Sequence, residues 1–294
     1  IQPTLDVAHD LHGVASVPLP AGGPAPVLLQ SGWTDALFPV GQALAPYERI
    51  LRQNPQAPVH LQFGDLGHAP GANVPGDRDD AAFNAQGIAF LASWLKGDAP
   101  KLEPGAVTAF AMTCPPNAAS GGPFTASSYR ALAPRKVNLK TKRRLRITSR
   151  GASKALAEEL NPLGGRASHC TERSPDRRNR AQFAARVKRP FTMLGRPVLT
   201  GRVAAKGRYG QIVARLWDLN PRTGEQLLIT RGAYRLADDQ KGGFRFTLDG
   251  NGWRFARGRR VVVELVGRDE PTYGPSPTTF TATLTKLRAT LPVR

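Results

Sequence analysis

The chain has 294 residues, 40% of them hydrophobic, so it is long enough to bury a sizeable core, and its length favours two domains over one. No uninterrupted apolar run of about 18 residues occurs, which excludes a membrane-spanning helix. A formal net charge of +19 raises a nucleic-acid reading, but the charge is divided: residues 1–100 hold 4 Lys and Arg against 9 Asp and Glu, and the remaining 194 hold 37 against 13.

That break coincides with a change of texture around Lys96-Gly97-Asp98-Ala99-Pro100 and divides the chain into residues 1–99 and 100–294. The opening IQPTLDVAHD has neither a basic n-region nor an apolar h-region and no initiator methionine, so it reads as the start of a mature product or of a piece of something longer. The basic excess is densest from Arg135 to Arg196, scattered among Pro, Gly and Ala. It shows no zinc-finger spacing, RNP-like aromatic motif or helix-turn-helix, so it reads as a solvated basic surface with no specific nucleic-acid partner.

In chain order, the first predicted strand is Val27-Leu28-Leu29, a short apolar run without alternation, as in a strand covered on both faces. Val40, Ala43, Leu44, Tyr47, Ile50 and Leu51 then recur at helical spacing, with Pro46 inside the window as a kink or restart. A second strand, Val59 to Phe63, ends at Gly64. The next helix begins near Asp79 and Asp80, carries Phe83, Gly87, Phe90, Leu91, Trp94 and Leu95 on one face, and has Gly97 suited to its C′ position. This β-α-β-α order implies a parallel sheet. Two strands do not make a stable doubly wound domain, so the rest of the sheet is expected from elsewhere.

After Pro100 the pattern becomes all-β. Period-2 runs recur at Val107–Ala111, Val198–Ala204, Ile212–Leu219, Leu227–Thr230, Phe244–Leu248, Val261–Val266 and Phe280–Leu284. Turn signals such as Asn220-Pro221 and Asp249-Gly250-Asn251-Gly252 separate them, and the spacing predicts a β-sandwich. Residues from Gly151 to Arg180 have no periodicity and read as a long surface loop.

Ligand chemistry on a parallel sheet belongs at the carboxyl ends of its strands. Asp35 lies just past the first strand and His68, in GDLGHAP, just past the second, 33 residues later with one helix between. An Asp that orients a His general base is two-thirds of a Ser-His-Asp triad, and in an α/β-hydrolase the chain order is nucleophile, acid, histidine. A G-x-S-x-G elbow should then precede Asp35, but none occurs; Ser16, Ser31 and Ser149 all lie in other contexts. The nucleophile is therefore expected outside this chain. For Asp35 the plainer reading is a helix N-cap, a role open to Thr34 as well, and for His68 a loop histidine. Asp65 is the alternative carboxylate, on the wrong side of the histidine in triad order. His9, His12, His60 and His169 have no metal spacing with one another or with the cysteines, so no metal site is expected.

GWTDALFP, a helix, and then GDLGH resemble the acid and histidine segments of the cocaine-esterase and X-prolyl dipeptidyl-peptidase family of α/β-hydrolases. GQIVARLWDLNPRTGEQLLITRGAYR and FRFTLDGNGWRFARGRRVVVELVGRDEP resemble the family's C-terminal jelly roll. The likeness covers about Pro26 to the end, while the strands bearing the oxyanion tyrosine, the nucleophile elbow and the helical cap have no counterpart. It implies the C-terminal part of an α/β-hydrolase sheet (1–99) followed by a jelly-roll β-sandwich (100–294). It further implies Asp35 as triad acid, His68 as general base, acyl-enzyme hydrolysis of a small ester or peptide-like substrate, and no cofactor. Trp33 and Phe38, beside the acid, would line the substrate pocket or pack beneath the loop.

Cys114 and Cys170 stand in loop-like contexts, TCPPN and SHCTE, either as unrelated thiols or as a bridge around 55 residues. Secreted members of the family resemble this arrangement, and a disulfide in an exported, extracellular protein is the favoured expectation. A reading from another class is a non-catalytic basic β-sandwich that binds polyanions or carbohydrate, against which the lack of an evident aromatic cluster on the strands counts.

Overall fold

A computed structural model describes residues 18–20, 22–35, 37–67, 78–97, 101–112, 121–150, 181–270 and 272–294. Among the described residues no helix is long and apolar enough to cross a membrane. The first layer begins with β1 (Val27–Gly32), α1 (Gly41–Gln53), β2 (Val59–Gly64) and α2 (Arg78–Leu95). β1 and β2 run parallel in register from Val27 opposite Val59 to Gly32 opposite Gly64. Every residue of β2 is buried. The reason is that both of its faces are covered: Val59, Leu61 and Phe63 pack in one cluster with Leu44, Tyr47 and Ile50 of α1. The alternate residues turn to α2, where the His60 ring meets Phe90 edge-on at 5.7 Å and Gly64 lies against Phe83. A Cβ on Gly64 would fall 2.4 Å from the Phe83 ring, so only glycine lets the helix seat this closely. Pro46 sits inside an unbroken α1 and does not restart it.

β3 (Val107–Ala111) corrects the reading of its alternation as the first sandwich strand. It pairs parallel with β2, Leu61 opposite Val107, and so becomes the third strand of the α/β layer. β4 (Gly121–Ala126) then adds antiparallel to β3, giving the order β1-β2-β3-β4. The five residues of β3 fit either sheet by pattern; three consecutive buried positions at its end reflect cover on both faces.

The rest is a β-sandwich. One sheet has the order β11-β10-β14-β7, from Gln226–Arg235, Gln211–Leu219, Arg260–Val266 and Ala181–Arg186. The other has the order β12-β9-β15-β8-β13, from Lys241–Thr247, Val198–Lys206, Thr281–Val293, Phe191–Gly195 and Asn251–Phe255. β5 (Arg135–Thr141) and β6 (Leu145–Thr148), on either side of a turn that follows the short α3 (Tyr129–Leu132), also pair with the long central β15. The burial of β15 alternates on either side of a bulge at Thr285 and Lys286, with Ala282 and Leu284 inside before it and Leu287, Ala289, Leu291 and Val293 inside after it, and this fixes its register. Among the described residues, a core of 31 buried side chains fills the space between the sheets. Tyr234, Phe244 and Phe246 form an aromatic group on these strands after all, but it packs on that core.

The Asp249-Gly250-Asn251-Gly252 turn signal is also corrected: Asn251 and Gly252 open β13. Gly252 is required there by close approach, since a Cβ would lie 2.9 Å from the Phe110 carbonyl, and its own carbonyl accepts from Met112 N at 2.7 Å. That contact joins the α/β layer to the sandwich. The Gly151–Arg180 loop expectation lies outside the described residues.

Candidate functional site

The two carboxyl strand ends that the sequence singles out are stitched together. Trp33 N donates to Gly64 O at 2.8 Å, and Leu66 O accepts from both Thr34 N at 3.1 Å and Thr34 Oγ1 at 3.0 Å. Gly32 makes this possible, because a Cβ there would fall 2.1 Å from Leu66 O. The Thr34–Leu66 bonds lie one residue before Asp35, so the chain just past β1 and the chain just past β2, as far as Gly67, share one rim. His68 itself lies outside the described residues, as do His9, His12, His169, Cys114 and Cys170.

Asp35 is half-buried. Its Oδ1 accepts from Leu37 N at 2.9 Å and Phe38 N at 2.8 Å, which turns the chain after β1 and fixes the carboxylate's orientation. These bonds make an Asx-type turn ahead of α1 and not the helix N-cap foreseen as the plainer role, since the N-cap is Val40 and no side chain caps the helix. Asp65, the alternative acid, is fully buried immediately after β2.

Trp33 and Phe38 part company. Trp33 is 3% exposed, stacked on Phe63 at 4.6 Å, with Nε1 donating to Phe110 O at 2.6 Å. Its ring and N–H are committed to packing, so it supports the acid loop from beneath. Phe38 is 56% exposed at the rim, where a ligand can reach it.

Residues of the sandwich that the sequence reading passed over hold the loop from the other side. Gly250 faces Trp33 and Val40; a Cβ would meet Val40 Cγ2 at 2.5 Å and Trp33 Cζ3 at 3.0 Å. The Arg196 guanidinium lies beside Gly41 and donates from Nη2 to Thr247 Oγ1 at 2.7 Å, while its backbone N donates to the Tyr129 hydroxyl at 3.2 Å. Burial pushes the Tyr129 phenol up to about 12, so it stays neutral as the acceptor of that bond. The only sequence signal for this seam was the glycine at position 250, read there as a turn residue. Among the described residues no group of three His, Cys, Asp or Glu side chains is arranged to hold a metal ion.

Residues 116–291 match the family model described as the X-Pro dipeptidyl-peptidase C-terminal non-catalytic domain. Among solved structures, the chain is similar to an aminopeptidase from a marine sediment archaeon, Thaumarchaeota archaeon, with a TM-score of 0.68 and 16% identity over 92% of this chain and 55% of that one. It is also similar to an alpha-amino acid ester hydrolase, with a TM-score of 0.64 and 16% identity over 96% of this chain and 57% of that one. A CocE/NonD family hydrolase from Staphylococcus aureus gives a TM-score of 0.54 and 14% identity over 95% of this chain and 56% of that one. No curated protein sequence matches the chain. The chain thus spans little more than half the length of these hydrolases, and the segment matched by the family model leaves Asp35 and His68 outside it. With more than half of its residues matched, the chain belongs to the family of the X-Pro dipeptidyl-peptidase C-terminal non-catalytic domain.

Proposed function

We propose that this chain supplies the acid and histidine rim of a serine-type acyl hydrolase, with Asp35 orienting His68 as general base toward a serine carried outside the sequence. The bonded pair of loop ends, Thr34 to Leu66, carries this reading, because it brings the two loops to one edge of a parallel sheet in triad order. The substrate class is a small ester or peptide-like amide, attacked by the serine and released by water from the acyl-enzyme. Phe38 borders the acyl or leaving-group side, and the chemistry needs no cofactor.

Two surfaces support completion by further sheet. Among the described residues β1 has β2 on one side and no strand on the other. Ile88, Leu91 and Leu95 make an apolar stripe on α2 that is 69%, 56% and 79% exposed. An open parallel edge and a bare apolar stripe are what a strand-helix unit would cover. The division expected at residue 99 does not end the α/β layer, since its sheet runs on through β3 and β4 to Ala126.

The test is labelling by a fluorophosphonate probe. The polypeptide encoded by the complete reading frame should label and hydrolyse p-nitrophenyl esters, and this chain alone should do neither. Labelling of this chain alone, or none of the longer polypeptide, ends the proposal. Export and a Cys114–Cys170 bridge belong to the same reading; the bridge would stabilise by about 4 kcal/mol in the loop-entropy model. Alkylation without reductant should leave the intact mass unchanged, whereas two modified thiols would show that the bridge does not exist.

A further inference from the structure

The basic excess of the sandwich has a location. β15, β9, β12 and β6 turn their alternate residues away from the core, and at one end these form a groove of about 940 Å³. Arg144 and Arg146 stand on one side, Lys206 and Lys241 on the other, and Thr281 and Thr283 lie on the floor. The pairing fixes this layout: Thr283 is opposite Arg146 on β6 and opposite Ala204 on β9, and Ala204 is opposite Lys241 on β12. Arg146 and Lys241 are therefore three strand spacings apart, about 14 Å between backbones, with Lys206 on β9 one strand nearer to Arg146. The lane continues along β15, where Thr285 lies opposite Arg202 and Arg288 lies opposite Lys140.

Like charges on directly paired positions destabilise a sheet, so an Arg288–Lys140 pair and four cations around one groove oppose folding. Among the described residues no ion pair joins Arg144, Arg146, Lys206 or Lys241 to a carboxylate. All four are exposed. The carboxylate in the groove, Asp239, accepts from Gly207 N at 2.8 Å.

We infer that this groove binds an acidic polysaccharide laid along β15. The cationic walls match acid groups at intervals on a single chain. The threonine floor and the Asp239 carboxylate match the hydroxyl groups between them, and a carboxylate would only repel a polymer made of phosphate alone. The lining has no aromatic side chain on which bases could stack, and its one large apolar residue, Leu145, is buried in the core and not free to enter a bilayer. The groove lies wholly within the matched non-catalytic segment, so it is independent of the hydrolase reading.

The experiment measures binding of alginate, which carries carboxylates, and heparin, which carries sulfates, to this chain by calorimetry across a salt series. Neutral pullulan, polyphosphate, duplex DNA and anionic phosphatidylserine vesicles serve as competitors. A triple variant, Arg146→Ser with Lys206→Ser and Lys241→Ser, is set against Arg189→Ser with Arg222→Ser and Arg257→Ser, which removes the same charge from exposed turns elsewhere. All six positions are exposed, and circular dichroism checks that both variants fold. Expected is salt-sensitive binding of at least one acidic polysaccharide, weakened about tenfold or more by the groove variant and less than about threefold by the other. Equal losses in both variants would mean that net charge alone binds. No binding at about 0.1 M salt, or tighter binding of any competitor, would equally overturn the inference.

Discussion

Gly250 is the residue on which the two halves of the candidate site meet, because the acid loop rests on it through Trp33 and Val40. Gly250→Ala should push that loop outward, costing about 1–3 kcal/mol in urea unfolding and, under the proposed function, lowering the esterase activity of the longer polypeptide. An unchanged midpoint would mean that the seam yields freely. His60 gives a pH signature at the same scale. It is fully buried beneath α2, and burial lowers its pKa below the ordinary 6.5. The unfolded chain then binds the proton more readily, so the His60 contribution is complete above about pH 6.5 and is lost as pH falls toward the folded value. His60→Leu should flatten the stability profile between pH 6.5 and 5, removing a slope of at most about 1.4 kcal/mol per pH unit. Equal slopes for both proteins would assign the acid sensitivity to other groups.

At the scale of elements, β10, β11 and the turn after β14 are tied by buried charge. Arg215 Nε donates to Asp269 Oδ1 at 2.9 Å, Arg231 Nη1 donates to Asp269 Oδ2 at 3.0 Å, and Trp217 Nε1 donates to Glu264 Oε2 at 2.8 Å. Arg215 and Asp269 are fully buried, so Asp269→Ala would leave the Arg215 guanidinium in the interior with Glu264 at 3.6 Å as its remaining carboxylate, and should cost about 3–5 kcal/mol. Asp269→Asn, which keeps an acceptor, should cost less; the two midpoints in guanidinium unfolding give the comparison, and equal costs would show that charge does not matter there. This network also shows where the sequence was legible and where it was not. The strands and helices with continuous or strictly periodic apolar residues, β1, α1, β2, α2 and the central sandwich strands, stand within a few residues of their expected positions. β5 and β6 were lost because their outward positions carry Lys, Arg or small polar residues in a stretch whose basic character masked the alternation of Val137 with Leu139 and Leu145 with Ile147. The sheet to which β3 belongs, and the pairing of Arg215 with Asp269 across 54 residues, are long-range choices that local periodicity does not encode.

At the scale of the molecule, the sandwich acts as a brace. Its β13 receives Met112 from the end of β3, its Arg196 and Gly250 close on α1 and Trp33, and the acid loop is thereby held between two sheets. Asp35 was legible because its place depends only on strand, glycine and chain order; the support from Gly250 and Arg196 was not, because it comes from more than 150 residues away. The same brace leaves the cationic groove at the Lys206–Lys241 end of β9 and β12, the end opposite Arg196 and Thr247, so the groove stands apart from the acid loop. The most direct measurement is kcat for a p-nitrophenyl ester in the complete polypeptide carrying Asp35→Asn, His68→Ala, or both. Each single change should lower kcat by about 10⁴-fold, and the double variant should be no worse than the poorer single, because an acid and base of one triad fail together. Retention of kcat within about tenfold of the parent enzyme, or losses that multiply in the double variant, would remove Asp35 and His68 from the chemistry.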